Sequence, residues 1–117
     1  MDAMELLYHN ADAAGRFAVS DAEIKAMVVT DERTGQQWFE ADGVCGFAWI
    51  KIRPARGKFV NWCKKNNIGR KHSFETGYTI WVSDYNQSLQ KKEIYAEAFA
   101  KVLQDNGIFA YAMSRMD

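Results

Sequence analysis

The sequence predicts one α/β domain in which two helices cover one face of a mixed sheet of four or five strands; an α+β arrangement is also open. Strand-like and helix-like segments alternate from residue 44 to the C-terminus, in the order strand, helix, strand, helix, strand. Each helix can therefore serve as a right-handed crossover between parallel strands. A chain of 117 residues is the usual size of one domain. We expect residues 1–117 to form a single domain with a β-α-β-α-β core in residues 44–117.

The first 43 residues carry weaker signals. Residues 1–20 are expected to be a short helix or a flexible arm, and Ser20–Glu23 forms a capping box that also predicts a short helix. The segments Ala26–Thr30 and Gln36–Glu40 flank the turn-like sequence DERTG as the strands of a hairpin would. The sequence therefore predicts a short helix or loop, followed by a hairpin whose strands extend the sheet.

Three strands are predicted in the core, at Val44–Arg53, Tyr78–Tyr85 and Ile108–Arg115. Residues two apart point to the same face of a sheet, and each of these segments separates a small aliphatic face from an aromatic one. The aromatic face is expected to carry Trp49 on the first strand and Tyr111 on the last. If the helices cover the aliphatic face, the aromatic face lies on the other side of the sheet.

Two helices are predicted between these strands. The segment Leu89–Asp105 has apolar residues at three- and four-residue spacing, Ser88 at its start and Asn106-Gly107 at its end. A second helix is expected over Pro54–Asn67, because proline suits the first turn of a helix. The outer side of that helix is almost wholly basic.

The charge of this neutral chain is unevenly divided. Residues 1–43, 44–74 and 75–117 have net charges of −6, +8 and −2, and the middle segment contains no Asp or Glu. Such a segment attracts phosphates or an acidic partner surface. The alternative is that the acidic N-terminal segment lies across the basic helix and neutralises it.

Aromatic rings beside cations are what a nucleotide or a single-stranded nucleic acid requires, because the rings stack on bases and the cations meet phosphates. The candidate stacking residues are Trp49, Trp81 and Tyr111. The candidate phosphate-binding residues are the nine cations of the strands, the first helix and its following loop: Lys51, Arg53, Arg56, Lys58, Lys64, Lys65, Arg70, Lys71 and Arg115. The leading hypothesis is a non-enzymatic protein that binds a phosphate-containing ligand, nucleic acid or nucleotide.

Other functions are compatible with the same pattern. The aromatic face could be covered by residues 1–43, or it could be the dry interface of a protein-interaction module, either a homo-oligomer or a binder of a host protein. Catalysis by Cys45 with His72 and Asp84 is a third hypothesis, although nothing in their spacing favours it.

Several classes are disfavoured. No apolar run is long enough to span a bilayer and the N-terminus lacks the pattern of a signal peptide, so we expect a cytoplasmic protein with no membrane partner. Cys45 and Cys63 are isolated and form no zinc pattern with His9 and His72. Phosphate-loop, dinucleotide, zinc-protease and serine-hydrolase motifs are absent from the sequence, so neither a metal nor another cofactor is expected.

The segments VCGFAWIKIRPARGKFVNWCKKNNIG, GYTIWVSDYNQS and KKEIYAEAFAKVLQDNGIFAYAMSRMD resemble a recurrent type of small protein from tailed bacteriophages and marine viral sequences. The resemblance covers residues 44–117. It implies a viral gene product acting in the bacterial cytoplasm, and it implies no activity that could be assigned to particular residues.

Overall fold

The fold has three helices and four strands in the described part of the chain. The structure, a computed structural model, describes residues 1–32, 44–72 and 76–117. The elements follow one another along the chain in this order: α1 (Ala3–Glu32), β1 (Gly46–Ile52), α2 (Lys58–Lys65), β2 (Arg70–Lys71), β3 (Tyr78–Trp81), α3 (Leu89–Asp105) and β4 (Ala110–Met116).

The four strands form one sheet in the order β2-β3-β1-β4, so the prediction of helices on one face of a four-stranded sheet is confirmed. The prediction of a mixed sheet is wrong for the described strands, since β1 pairs antiparallel with both β3 and β4, and β2 pairs antiparallel with β3. The reason lies in the crossovers. The helix α2 joins β1 to the parallel strand β2, but β3 is inserted between them, and β1 is inserted in the same way between β3 and β4.

This connectivity is the split β-α-β arrangement, β-α-β-β-α-β, with an additional N-terminal helix. Sequence reasoning missed β2 because a strand of two residues leaves no alternation to detect. The consequence for the site is that β1 and β3 occupy the centre of the sheet, side by side.

The predicted bounds of α3 are confirmed, and its caps explain them. The Ser88 side chain accepts a hydrogen bond from the Lys91 backbone N–H at 3.3 Å. At the other end Gly107 adopts a φ of 80°, and the Ile108 N–H donates to the Leu103 carbonyl at 3.0 Å. Both ends are therefore encoded within a few residues of the helix itself.

The helix α2 begins later than predicted, at Lys58 instead of Pro54. The Arg53–Pro54 peptide is cis, and Gly57 has a φ of 109°, which lies outside the helical region. The helix therefore starts only after Gly57. At its other end Asn67, with a φ of 57°, takes the left-handed position that ends the helix before Gly69.

The short helix or arm predicted at the N-terminus is in fact one helix of 30 residues, α1. The predicted strand Ala26–Thr30 belongs to this helix, so the hairpin prediction is wrong at that strand; its partner, Gln36–Glu40, lies outside the described residues. The local β-propensity of Val28–Thr30 is overridden by an alanine-rich segment that favours the helix throughout.

The core forms between the helices and the aliphatic face of the sheet. It is a single cluster that includes Ala48, Ile50 and Ile52 of β1, Tyr78 and Ile80 of β3, Phe59 and Cys63 of α2, Phe99 and Leu103 of α3, and Leu7 and Ala11 of α1. The predicted separation of the two sheet faces is therefore confirmed, with the helices on the aliphatic side. None of the described helices combines the length and the apolar character needed to cross a membrane.

Candidate functional site

The aromatic face of the sheet is organised in rows that run across the strands. In the row nearest its centre, Trp49 on β1 pairs with Trp81 on β3 and with Met113 on β4. The adjacent row places Thr79 and Tyr111 on either side of Lys51. Antiparallel pairing thus brings together residues that lie about 30 to 60 positions apart in the sequence.

The two tryptophans form the most specific feature of this face. Their ring centroids are 4.6 Å apart with the planes inclined at 38°, and the Phe47 ring meets Trp81 edge-on at 6.2 Å. Trp81 remains 38% exposed, while Trp49 is half-buried. Trp81 therefore packs on Trp49 while part of its indole ring remains in solvent.

The indole N–H of Trp49 is buried and, among the described residues, it has no hydrogen-bond acceptor. An indole nitrogen can only donate, and a buried donor without an acceptor costs about 1–3 kcal/mol. This donor belongs to the ring that packs against Trp81.

A cleft of about 360 Å³ opens beside the tryptophan pair. Its walls combine the two indoles with a hydroxyl and four nitrogen-bearing side chains: Trp49, Trp81, Thr79, Arg70, Lys71, His72 and Arg115. No carboxylate of the described residues lines it. The Thr79 hydroxyl donates to the Arg70 carbonyl at 3.0 Å, which fixes the backbone of the short strand that carries two of these cations. We call this cavity the tryptophan cleft.

A second and larger cavity of about 750 Å³ lies at the end of β1. Its walls combine cations with apolar and small residues: Arg53, Arg56, Lys64, Lys71, Pro54, Ala55, Thr76, Gly77 and Phe109. Its lining, too, includes no carboxylate of the described residues, and its aromatic wall, Phe109, is 65% exposed. Lys71 lines both cavities, so they are neighbours. We call this one the Phe109 cavity.

The structure gathers most of the predicted phosphate-binding residues around these two cavities. Arg70, Lys71 and Arg115 line the tryptophan cleft, and Arg53, Arg56 and Lys64 line the Phe109 cavity. Lys58 lies beside a smaller cavity at the start of α2, and Lys65 is exposed on that helix.

Two further predicted residues, Lys51 and Tyr111, also line neither cavity. Lys51 is completely buried, so its ammonium group lines neither of them. Tyr111 is half-buried under the Arg53 guanidinium, whose central carbon is 5.7 Å from the ring centroid. Tyr111 thus serves as a support for Arg53 in this arrangement.

Sequence reasoning missed Thr79 and Phe109 as members of these walls, while His72, which was considered for cysteine catalysis, lines the tryptophan cleft instead. Thr79 lies two residues before Trp81 and Phe109 lies two residues before Tyr111, so strand alternation could have placed them on the same face as these two residues. His72 carried no such signal, because its position depends on the two-residue strand that the sequence did not reveal.

The charges around the two cavities are not neutralised by the described part of α1. Seven of the nine predicted cations are exposed and form no ion pair with any described residue: Arg56, Lys58, Lys64, Lys65, Arg70, Lys71 and Arg115. The carboxylates of α1 pair instead with Arg16, Lys25 and Lys91. These seven positive charges are therefore exposed and unpaired within the described part of the chain.

The residues considered for cysteine catalysis do not come together. Cys45 lines a cavity at the start of β1, His72 lines the tryptophan cleft, and Asp84 is 2.7 Å from the Arg16 guanidinium. Burial raises the pKa of the Cys63 thiol to about 12, which keeps it protonated at neutral pH. The described residues also contain no cluster of side chains that could hold a metal ion.

Comparisons of this chain with protein-family models, with curated proteins and with solved structures gave no match. The function must therefore be argued from the geometry of the site.

Proposed function

We propose that this chain binds a phosphate-containing ligand, nucleic acid or nucleotide, at the tryptophan cleft, without catalysing a reaction. One observation carries the proposal: the paired rings of Trp49 and Trp81, on the two central strands, border the same cleft as the cations Arg70, Lys71 and Arg115. A base stacks on the exposed ring of Trp81, and its phosphate meets the cations at the rim.

The layout of the sheet supports this proposal by analogy. RNA recognition motifs use a four-stranded antiparallel sheet, open on one face, whose aromatic side chains stack two or three bases. Here the two helices that flank the sheet in sequence lie on one face, and the tryptophans occupy neighbouring central strands on the other. The analogy concerns the arrangement alone, since a fold does not determine a function.

The setting we propose is a viral protein in the bacterial cytoplasm, which rests on the resemblance of residues 44–117 to small phage proteins. A small phage protein without catalytic groups fits a role in binding nucleic acid or nucleotides of the infected cell.

The proposal is tested by reversing charge at the cleft while the net charge is kept constant between variants. The double substitution Arg70→Glu with Lys71→Glu changes the cleft; Lys25→Glu with Lys101→Glu makes the same change of net charge on α1 and α3, away from it. In fluorescence anisotropy with a labelled single-stranded DNA, we expect the cleft variant to bind at least about tenfold more weakly and the control to bind like the parent. Equal loss in both variants would show that only overall charge matters and would refute the site.

A second candidate function, self-association, is favoured by the outer side of α1. Leu6, Phe17 and Ile24 are each more than half exposed. Their spacings of 11 and 7 residues align them within about 20° of one another around the helix. Gly15 packs against the Tyr95 ring in the core. It lies two and a half turns from Leu6 and therefore on the opposite side of the helix. α1 therefore has a second apolar line, directly away from the core.

This line is self-complementary in a two-fold antiparallel pair of α1 helices. Such a pair places Leu6 opposite Ile24 and the small Ala13 opposite the bulky Phe17, so the partner we propose is a second copy of this chain. Sedimentation velocity of the parent and of Phe17→Asp tests it. We expect a dimer that becomes a monomer on substitution, and a parent that is monomeric at high concentration would refute this candidate.

A further inference from the structure

We infer that the ligand is a single-stranded oligonucleotide, which occupies the tryptophan cleft and the Phe109 cavity together. This inference rests on the proposed function, because it extends the same site along the sheet. It differs from that function in requiring a ligand with several phosphates and at least two bases, which a mononucleotide does not have.

The tryptophan cleft and the Phe109 cavity are adjacent. Lys71 lines both cavities, so the two cavities adjoin at this residue. Lys71 is exposed, and no described carboxylate pairs with it. A phosphate bound at Lys71 could therefore lie between two nucleotides of one strand, one in each cavity.

The two cavities have the same kind of lining, an exposed aromatic ring beside cations. The tryptophan cleft offers the exposed ring of Trp81 beside exposed cations, and the Phe109 cavity offers the exposed ring of Phe109 beside Arg56 and Lys64. Lys64 is held near the cavity wall because its Nζ donates to the Ala55 carbonyl at 3.1 Å. Each cavity thus supplies a surface for one base and charges for a phosphate.

The distance between the two cavities matches the length of a short single strand. Trp49 in the first cavity and Arg53 in the second are four residues apart along β1, which corresponds to about 13 Å at the rise of an extended strand. A stacked single strand advances about 3.4 Å per nucleotide, so about four nucleotides cover that distance. One nucleotide can fill only one of the two cavities, and a duplex keeps its bases inside its own stack.

The test compares the length dependence of binding in the parent and in Phe109→Ala. The probes are a labelled mononucleotide, single-stranded DNA and RNA of about four and about eight nucleotides, and a duplex of the longer sequence. Val44→Ala is the control, because Val44 is another exposed apolar side chain and lines neither of the two cavities.

We expect the parent to bind four-nucleotide strands at least about tenfold more tightly than the mononucleotide. Lengthening the strand to eight nucleotides should raise the affinity per binding site only slightly, and the duplex should bind more weakly than the single strands. Phe109→Ala should weaken binding of the single strands by about fivefold or more while leaving the mononucleotide unaffected. Val44→Ala should bind every probe as the parent does.

The outcomes separate this inference from the proposed function. Equal affinity for mononucleotide and oligonucleotide, or an unchanged oligonucleotide affinity in Phe109→Ala, would overturn the two-cavity ligand and leave the tryptophan cleft as a nucleotide site. Binding of none of the probes would overturn both proposals.

Discussion

Trp81 packs on Trp49 and at the same time keeps more than a third of its surface in solvent. The side chain therefore contributes to stability only through the part of the ring that touches its neighbours. An aromatic pair of this kind contributes about 0.5–1.5 kcal/mol beyond the area that its rings bury, and truncating a fully buried tryptophan costs about 3–5 kcal/mol in all. The exposed part of the ring remains available to a base.

We accordingly predict that Trp81→Ala lowers the free energy of unfolding by about 1–2 kcal/mol, because its ring is only partly buried. The same change should weaken binding of single-stranded DNA by about 1–3 kcal/mol, the contribution of one stacked base. Urea unfolding and fluorescence anisotropy on the same preparation measure the two effects. A stability loss above about 3 kcal/mol would identify Trp81 as a core residue and would remove it from the site.

The two cysteines differ in their surroundings. Cys45 is exposed, whereas Cys63 is buried among the core residues of α2. Burial disfavours the thiolate and raises the pKa of Cys63 from 9.0 to about 12. For an acid whose folded pKa is raised, the folded state holds the proton more strongly, so stability is complete below the ordinary pKa and declines as pH rises above 9.0.

We predict that a thiol reagent modifies the exposed Cys45 of the native protein rapidly at about pH 8, and the buried Cys63 only after unfolding. Mass spectrometry of Cys45→Ser and Cys63→Ala variants assigns the reactive position. Rapid modification of native Cys45→Ser would show that Cys63 is accessible and would contradict the structure of the core around α2.

At the residue scale, the sequence predicted the side chains of the site better than their roles. Strand alternation correctly placed Trp49 and Trp81 on one face, because it depends only on local backbone geometry. It could not reveal that Lys51, on the same face, is completely buried. Burial depends on which segments of the chain pack nearby, and a residue's own neighbours in sequence do not encode that.

The helix α1 is attached to the rest of the fold by a contact that requires a small residue. Gly15 is buried against the Tyr95 ring of α3, and a Cβ added at Gly15 would lie 2.5 Å from the Tyr95 Cδ2 atom. The Tyr95 hydroxyl donates to Asp12, whose carboxylate also accepts from Arg16 at 3.1 Å. Burial and the bond to Asp12 both raise the pKa of Tyr95, so this hydroxyl remains a donor throughout the neutral range.

We predict that Gly15→Ala destabilises the protein. In the interior of a free helix the change would gain about 1 kcal/mol, because alanine has the higher helix propensity. Here the added methyl group collides with a ring that packing and a hydrogen bond hold in place, and such overpacking costs about 1–3 kcal/mol. Thermal unfolding measures the sign.

Ala14→Gly is the matched control for this prediction. Ala14 is half-buried on the same helix, so its change to glycine should cost about 1 kcal/mol through propensity alone. A Gly15→Ala protein that is more stable than the parent would show that α1 does not approach α3 as closely as described.

How well each helix or strand could be predicted depended on whether its sequence signals lie next to it in the chain. The bounds of α3 were predictable because its caps lie next to it in sequence, at Ser88 and Gly107. The extent of α1 was not, because a capping box within it and β-branched residues near its end both suggested an interruption. The antiparallel sheet was also beyond the sequence, since it depends on which strand is inserted between two others.

The whole molecule separates its charges in space as well as in sequence. The described ion pairs of α1 tie that helix to itself through Asp12 and Arg16, to Asp84 through Arg16, and to α3 through Glu23 and Lys91. Five cations of residues 49–72 line the tryptophan cleft and the Phe109 cavity: Arg53, Arg56, Lys64, Arg70 and Lys71. A neutral protein thus presents a positive surface in the place where it also presents exposed aromatic rings.

The most direct test of this account is fluorescence anisotropy of the parent protein with a short single-stranded DNA at about 50 mM and about 200 mM salt. Neutralising about three to five phosphates on a single strand should make the affinity fall by about 10- to 100-fold across that range. A duplex of the same sequence should bind more weakly, because its bases are not free to stack on Trp81. Absence of binding at the lower salt concentration, or an affinity that does not change with salt, would contradict a phosphate-binding role for the basic aromatic face.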